Sequence, residues 1–377
     1  RAHPAAEHRA PRGNTPRTHD GSAVTGKRVV VIGGGYAGIA AARVLDGATD
    51  VTLVNRKESF FHVVAALRAA VDERWTEVPF IPYDRLLRRG RFVCATVTGL
   101  DVQERMVFLQ DGEPLPFDAV IIATGSDASA PARYAGVTAD EATQAMRRHQ
   151  NDIAAASSIV VVGGGPVGVE LAGEIRAIHA TTPVTIVESS SALLSGSGSA
   201  ALGRRAKDLL ERQDVVVRLG QRLERTAEVD PGALVLNAAG SLPNTAWMGD
   251  EQLTDRGLIR VDEHLRVRGS ERVFAIGDAA DIRESKLAIP AVAQALVAAA
   301  NARGVLSGGR PRLRYRRLPL RQMVVPVGPN DGVSLLQGLV VGGAVTRQMK
   351  SRDLLVGKTR KALRVVNPGH LESERAL

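Results

Sequence analysis

Six glycines fall into two identical spacings. Gly33, Gly35 and Gly38 form one Gly-x-Gly-x-x-Gly turn, and Gly163, Gly165 and Gly168 form another 130 residues further on. In such a turn the first glycine permits a tight bend from strand to helix. The second lets backbone approach a pyrophosphate, and the third lets helix pack on strand. The pyrophosphate then rests on free N–H groups at the helix N-terminus. The chemistry is dinucleotide binding, twice over. The residue ending the next strand normally accepts hydrogen bonds from the adenosine ribose. In the second unit it is Glu188, whose carboxylate repels a 2′-phosphate, and no arginine stands in Glu188 to Ser191. NADH is therefore expected over NADPH. In the first unit the position is Asn55, which accepts a hydrogen bond but lacks the bidentate grip of an acid.

The elements that must position these residues are legible around them. Arg28-Val-Val-Val-Ile32 is a short apolar run, the mark of a strand buried on both faces, and Ile39 to Leu45 is small and apolar at helical spacing. Asp50-Val-Thr-Leu-Val54 completes a β-α-β unit. Ser158 to Val162, Val169 to Ile175 and Val184 to Val187 repeat it. Shorter strand signals follow the first unit at Gly90 to Leu100, Arg105 to Gln110 and Ala119 to Ala123. Late in the chain, Arg272 to Ile276 reads as one more buried strand. An alanine-rich helix follows from about Ile289 to Leu306, with strand-like segments at Gln322 to Val327 and Ser334 to Val341. The stretch Val217 to Asn237 is short for the β-meander usual in such a unit. Two complete nucleotide-binding units in one α/β chain are the main fact of organisation.

Composition narrows the class. Of 377 residues 44% are hydrophobic and 24% charged, a globular balance. The single cysteine, Cys94, excludes an internal disulfide, a Cys-x-x-Cys redox pair and a cysteine-based metal site. No metal is expected. The net charge of +9 is uneven: residues 303–377 hold 15 basic and 4 acidic side chains, and residues 1–28 hold 6 and 2. Aromatics are 3% and do not interleave with the basic residues, which argues against nucleic acid. A basic C-terminal region suits an acidic carrier protein or an anionic membrane surface. No apolar run reaches 18 residues, Pro290 and Gln294 interrupting the longest, so no transmembrane helix is expected. Neither a secretory signal nor a Met-Gly myristoylation signal is visible. A cytoplasmic protein, peripheral to membrane at most, is the expectation.

Ile121-Ile-Ala-Thr-Gly125 and Phe274-Ala-Ile-Gly-Asp278, set around the second nucleotide unit, resemble the two-dinucleotide-binding flavoproteins. Ser59 to Arg68 stands where that superfamily's disulfide reductases carry a cysteine pair, and it has no sulfur. That stretch, Met106 to Phe117, Asn330-Asp-Gly-Val333 and Lys350-Ser-Arg-Asp-Leu354 look like the ferroptosis-suppressor branch of the apoptosis-inducing-factor-like flavoproteins, which are related to type II NADH dehydrogenases. The resemblance spans roughly 27–365. It implies two Rossmann-like domains, with FAD at the first glycine turn and NAD(P)H at the second. Thr124 and Gly125 form a return point beside the FAD, and Asp278 meets a ribityl hydroxyl. The helix near Ile289 aims its positive end at the flavin pyrimidine. By the same resemblance Glu170, read as lying on the first helical turn, places the nicotinamide. Lys350 approaches the flavin and quinone pocket as a cation, and His62 is a candidate donor to a quinone carbonyl.

The implied activity is oxidation of NADH through FAD, with electrons passed to a quinone-like small molecule without a disulfide. Reduction of a small electron-carrier protein, tailoring of an aromatic natural product and a nucleotide-sensing interaction role are the alternatives. The domain layout expected is a disordered extension over 1–26, a discontinuous FAD domain over 27–127 and 252–310, an NAD(P)H domain over 128–251, and a basic region over 311–377 covering the flavin.

Overall fold

The computed structural model describes residues 26–129, 131–134, 136–223, 230–317 and 322–365. The extension read over 1–26 lies outside these residues except for Gly26, as does the middle of the short stretch after Val217. The apolar runs become central strands because continuous burial demands residues without polar side chains on either face. Arg28–Ile32 pairs in parallel with Asp50–Asn55 on one side and Ala119–Ile122 on the other. Arg91–Cys94 and Val273–Ala275 complete a five-stranded parallel sheet at its two edges. One of its strands thus comes from a part of the chain beyond the whole second unit.

The second sheet runs Val215–Leu219, Val184–Glu188, Ser158–Val162, Ala233–Asn237, again all parallel. The two units are joined by two crossings that pair with each other: Ser126–Asp127 is antiparallel to Leu242–Pro243. The C-terminal part adds an antiparallel sheet of Met323–Pro326, Gly332–Leu336 and Leu339–Val341. The segment read as one strand from Ser334 to Val341 is therefore a hairpin. Gln337 and Gly338 turn it with φ of +52° and +87°. This C-terminal sheet shares its core with the second unit: Val325, Val327, Val333 and Leu335 pack with Val161, Leu171 and Ile186. An added Cβ on Gly173 would stand 2.7 Å from the Val327 Cα, so the close approach of helix Pro166–Ile178 to that sheet depends on this glycine.

The alanine-rich helix expected from about Ile289 to Leu306 forms over Ala288–Leu306. It is 19 residues long and apolar enough, by length and composition, to cross a membrane. Pro290 sits in its first turn, where a missing N–H costs nothing, and Gln294 is buried with its polar groups bonded, so neither breaks it. Half of it is packed inside the protein, where Ala291, Ala295, Ala298 and Ala302 pack in one core with helix Tyr36–Leu45. Small side chains let the two helix backbones approach closely, which explains the alanine-rich composition.

Candidate functional site

The two glycine turns are built alike. Gly33 and Gly163 have φ of +104° and +109°, which side chains rarely tolerate. A Cβ on Gly38 would stand 1.8 Å from the Gly33 carbonyl oxygen, and one on Gly168 1.9 Å from that of Gly163. A Cβ on Gly35 or Gly165 meets no atom within 4 Å. These two are the N-caps of helices Tyr36–Leu45 and Pro166–Ile178, and being glycines they offer the first-turn N–H groups no side-chain partner. Internal packing thus explains the third glycine of each turn and leaves the second unexplained. Open backbone at a helix N-terminus is what a pyrophosphate requires.

Asn55 and Glu188 do one job at the ends of their strands. Asn55 Oδ1 accepts from the Gly34 N–H at 3.0 Å, and Glu188 Oε2 accepts from the Gly164 N–H at 2.5 Å. Asn55 Nδ2 also donates to the Lys57 carbonyl at 2.8 Å, a bond no acid could make. Burial pushes the Glu188 pKa up, but N–H donors from Ser190 and Gly164 outweigh it and hold the carboxyl below its usual value.

Beside the first turn, Thr124 follows the strand Ala119–Ile122, and its Oγ1 is buried with no partner among the described residues. The Thr124 and Gly125 carbonyls accept from Asn244, on the returning crossing. Asp278 lies just past Val273–Ala275, and its Oδ2 accepts from Ser126 Oγ at 2.9 Å. The turn that carries it is fixed through Gly277, whose N–H donates to Gln294 Oε1 at 2.7 Å. Arg133 bonds the Ala132 and Ser126 carbonyls at 3.1 and 3.4 Å. Burial depresses its pKa, while Asp278, Asp127 and Tyr36 pull it back up. A half-buried cation, an orphaned hydroxyl and an open glycine turn together fit an anionic dinucleotide.

Glu170 and Lys350, 180 residues apart, meet: Lys350 Nζ donates to Glu170 Oε1 at 2.7 Å and to the Val324 carbonyl at 3.3 Å. Glu170 is buried, which raises its pKa, and Lys350 opposes that rise. It stands in the second turn of helix Pro166–Ile178, and the first turn holds no acidic residue. The reading of Glu170 on the first turn is corrected, because the helix already starts at Pro166. His62 is fully buried with both ring nitrogens engaged. The Leu354 carbonyl can only accept, so Nε2 donates to it at 2.8 Å, and Nδ1 accepts from Tyr36 Oη at 2.6 Å. With no N–H to spare, His62 is not a donor to a quinone. Burial lowers its pKa to about 4, so the ring is neutral.

Sequence reasoning missed Arg133, Tyr36 and the buried pair Arg68–Glu174. A basic residue eight positions beyond Thr-Gly is too weak a signal to single out Arg133. Arg68 lay inside a quoted motif but was read only for its lack of sulfur.

The pyridine nucleotide-disulphide oxidoreductase family model matches residues 27–295. Ferroptosis suppressor protein 1 of Homo sapiens is 34% identical over 363 residues, covering 90% of this chain and 96% of its own. Apoptosis-inducing factor homolog B of Dictyostelium discoideum is 30% identical over 377 residues, covering 88% and 95%. Among solved structures, NDH2 from Plasmodium falciparum in complex with NADH has the same fold at a TM-score of 0.69 and 14% identity, covering 90% of this chain and 97% of that one. A family match over most of the chain, together with relatives aligned along nearly their whole length, places this chain in the pyridine nucleotide-disulphide oxidoreductase family, as an FAD-dependent NAD(P)H oxidoreductase.

Proposed function

We infer that the chain oxidises NADH and passes the electrons directly to a quinone-type acceptor, with no dithiol between. One observation carries this reading. The stretch Ser59 to Arg68 uses His62 and Arg68 to grip the C-terminal segment bearing Lys350, while the one cysteine, Cys94, is exposed on strand Arg91–Cys94. A relay through sulfur has nowhere to sit, so the acceptor must itself reach the site.

The domain layout 27–127 with 252–310, 128–251 and 311–377 goes with this reading. Gly33, Gly35, Gly38, Asn55, Thr124, Gly125 and Asp278 would hold FAD, with Arg133 balancing its phosphate charge. Gly163, Gly165, Gly168 and Glu188 would hold NADH. Bound FAD supplies hydride acceptance and electron return. Glu170 fixes Lys350 and orders the buried end of the helix that begins at the NADH turn. The Lys350 ammonium is anchored at Nζ between the Glu170 carboxylate and the Val324 carbonyl. Reduction of a quinone builds negative charge on oxygen, which a preorganised cation stabilises.

An anaerobic stopped-flow panel tests the proposal. The holoenzyme is reduced with NADH and then mixed with a short-chain benzoquinone, a ferredoxin or oxygen. Reoxidation fastest by the quinone is expected. Reoxidation by ferredoxin alone would move the function to carrier reduction.

A further inference from the structure

Helix Val63–Ala69 and the residue before it reach far along the chain, chiefly to main-chain carbonyls of one short stretch. His62 donates to the Leu354 carbonyl at 2.8 Å, and Arg68 to those of Ser351 and Arg352 at 2.8 and 3.3 Å. The acceptors are the last residue of the π-helical turn Arg347–Ser351, in which Lys350 stands, and residues just after it. Such turns occur mostly as single insertions at functional sites, and the carbonyls at a helix end lack helical N–H partners. Leu354 and Leu355 then take φ of +50° and +62°, which stops the helix.

The rest of the Arg68 fork is spent on one carboxylate. Nε and Nη2 donate to Glu174 Oε2 and Oε1 at 2.9 and 2.8 Å, and both side chains are almost completely buried. The guanidinium also lies 4.8 Å from the Trp75 ring centroid. Glu174 is one helical turn beyond Glu170 on the same face of helix Pro166–Ile178. Lys350 is therefore held at two places. Glu170 and the Val324 carbonyl take its ammonium, while Arg68 and His62 take the main chain just after it.

We propose that Arg68, oriented by Glu174, is a positioning residue for Lys350, a carbonyl clamp occupying the helix where a redox cysteine pair would otherwise stand. The proposal rests on the reading of Lys350 as the cation at the acceptor site. Arg68 makes four donations in a fixed planar fork, and a lysine ammonium has three donors at one point, so lysine cannot reproduce the clamp. The clamp sets where the Lys350 ammonium sits relative to an acceptor, and misplacement of a charge at a reacting centre is costly.

The test uses the holoenzyme, photoreduced anaerobically, with a short-chain benzoquinone as the probe. The variant Arg68→Met/Glu174→Leu removes both charges together, so no buried charge is left unpaired. Reoxidation is expected to slow by about tenfold to a hundredfold. In a Lys350→Ala background the same double variant should add nothing. Amide hydrogen exchange should quicken across 347–356 and hold elsewhere. Arg68→Lys should slow reoxidation as the double variant does. Equal slowing in both backgrounds, or quickened exchange throughout the chain, would make the pair merely structural and overturn the proposal. If Lys350→Ala slows reoxidation but the double variant does not, the clamp alone fails. If Lys350→Ala reoxidises at the wild-type rate, the acceptor reading fails and takes the clamp with it.

Discussion

Glu188 and Asn55 receive equivalent N–H groups from equivalent turns, so what separates them is charge. Glu188 is ionised, its pKa held low by donors from Ser190 and Gly164 after burial has pushed it up. A 2′-phosphate would bring like charge against it. Steady-state kcat/KM should favour NADH over NADPH by at least about tenfold, or 1.4 kcal/mol. A preference for NADPH would refute the role of Glu188. His62 yields a different expectation. Its folded pKa of about 4 lies below the ordinary 6.5, so the folded state binds fewer protons than the unfolded one between these values. Stability is then complete above pH 6.5 and falls as the pH drops toward 4. The loss between pH 7 and pH 5 is about 2 kcal/mol. Chemical denaturation of His62→Gln should show that part of the pH dependence removed. An unchanged slope would mean that other groups govern it. The sequence marks Glu188 by its place after a strand. It cannot show that His62 has no free N–H, because the Leu354 carbonyl that occupies it is 292 residues away.

At the scale of the element, strand, turn and helix are contiguous, so both nucleotide units were legible in full. The contacts of Arg68 with Glu174 and of Glu170 with Lys350 cross 106 and 180 residues, and no local pattern announces them. Lys350 was reachable only through a resemblance. The hairpin at Gln337 and Gly338 was missed because its first turn residue is glutamine, not the asparagine or aspartate that usually accepts a positive φ. The turns themselves permit a sharper experiment than the deletion of a ligand. Gly35 has φ −75° and free space where a Cβ would go, so Gly35→Ala should fold normally yet lose FAD. Gly38→Ala drives a methyl into the Gly33 carbonyl and should cost about 1–3 kcal/mol or more. Gly165→Ala should keep FAD and raise the KM for NADH. Flavin-to-protein ratio, thermal melting and donor kinetics separate the three. Full flavin in Gly35→Ala would show that the first turn does not carry the pyrophosphate.

Over the whole molecule the charge is lopsided. The last turn of helix Ala288–Leu306 exposes Arg303, and the segment leaving it exposes Arg310, Arg312, Arg314, Arg316 and Arg317; among the described residues only Arg314 of these has a carboxylate partner, Glu263 at 3.2 Å. Tyr315, among them, donates to Glu284 at 2.7 Å, and Glu284 accepts from Gln294, which holds the Gly277 turn beside Asp278. The arginine run is therefore tied to the same local framework as the turn proposed to hold the flavin. A field of one sign raises the encounter rate of oppositely charged partners, and salt screens it with a Debye length of about 8 Å at 0.15 M. Two acceptors of unlike charge separate steering from chemistry. With ferricyanide, a trivalent anion, reoxidation of the reduced holoenzyme should fall roughly tenfold as ionic strength rises from about 10 to 300 mM. With a neutral benzoquinone it should change by less than about twofold. Replacing Arg312, Arg314, Arg316 and Arg317 by glutamine should flatten the ferricyanide curve and leave the benzoquinone rate alone. Equal salt slopes for both acceptors would mean that this face does not guide electron acceptors to the flavin, and an acidic carrier docking there would lose its electrostatic rationale.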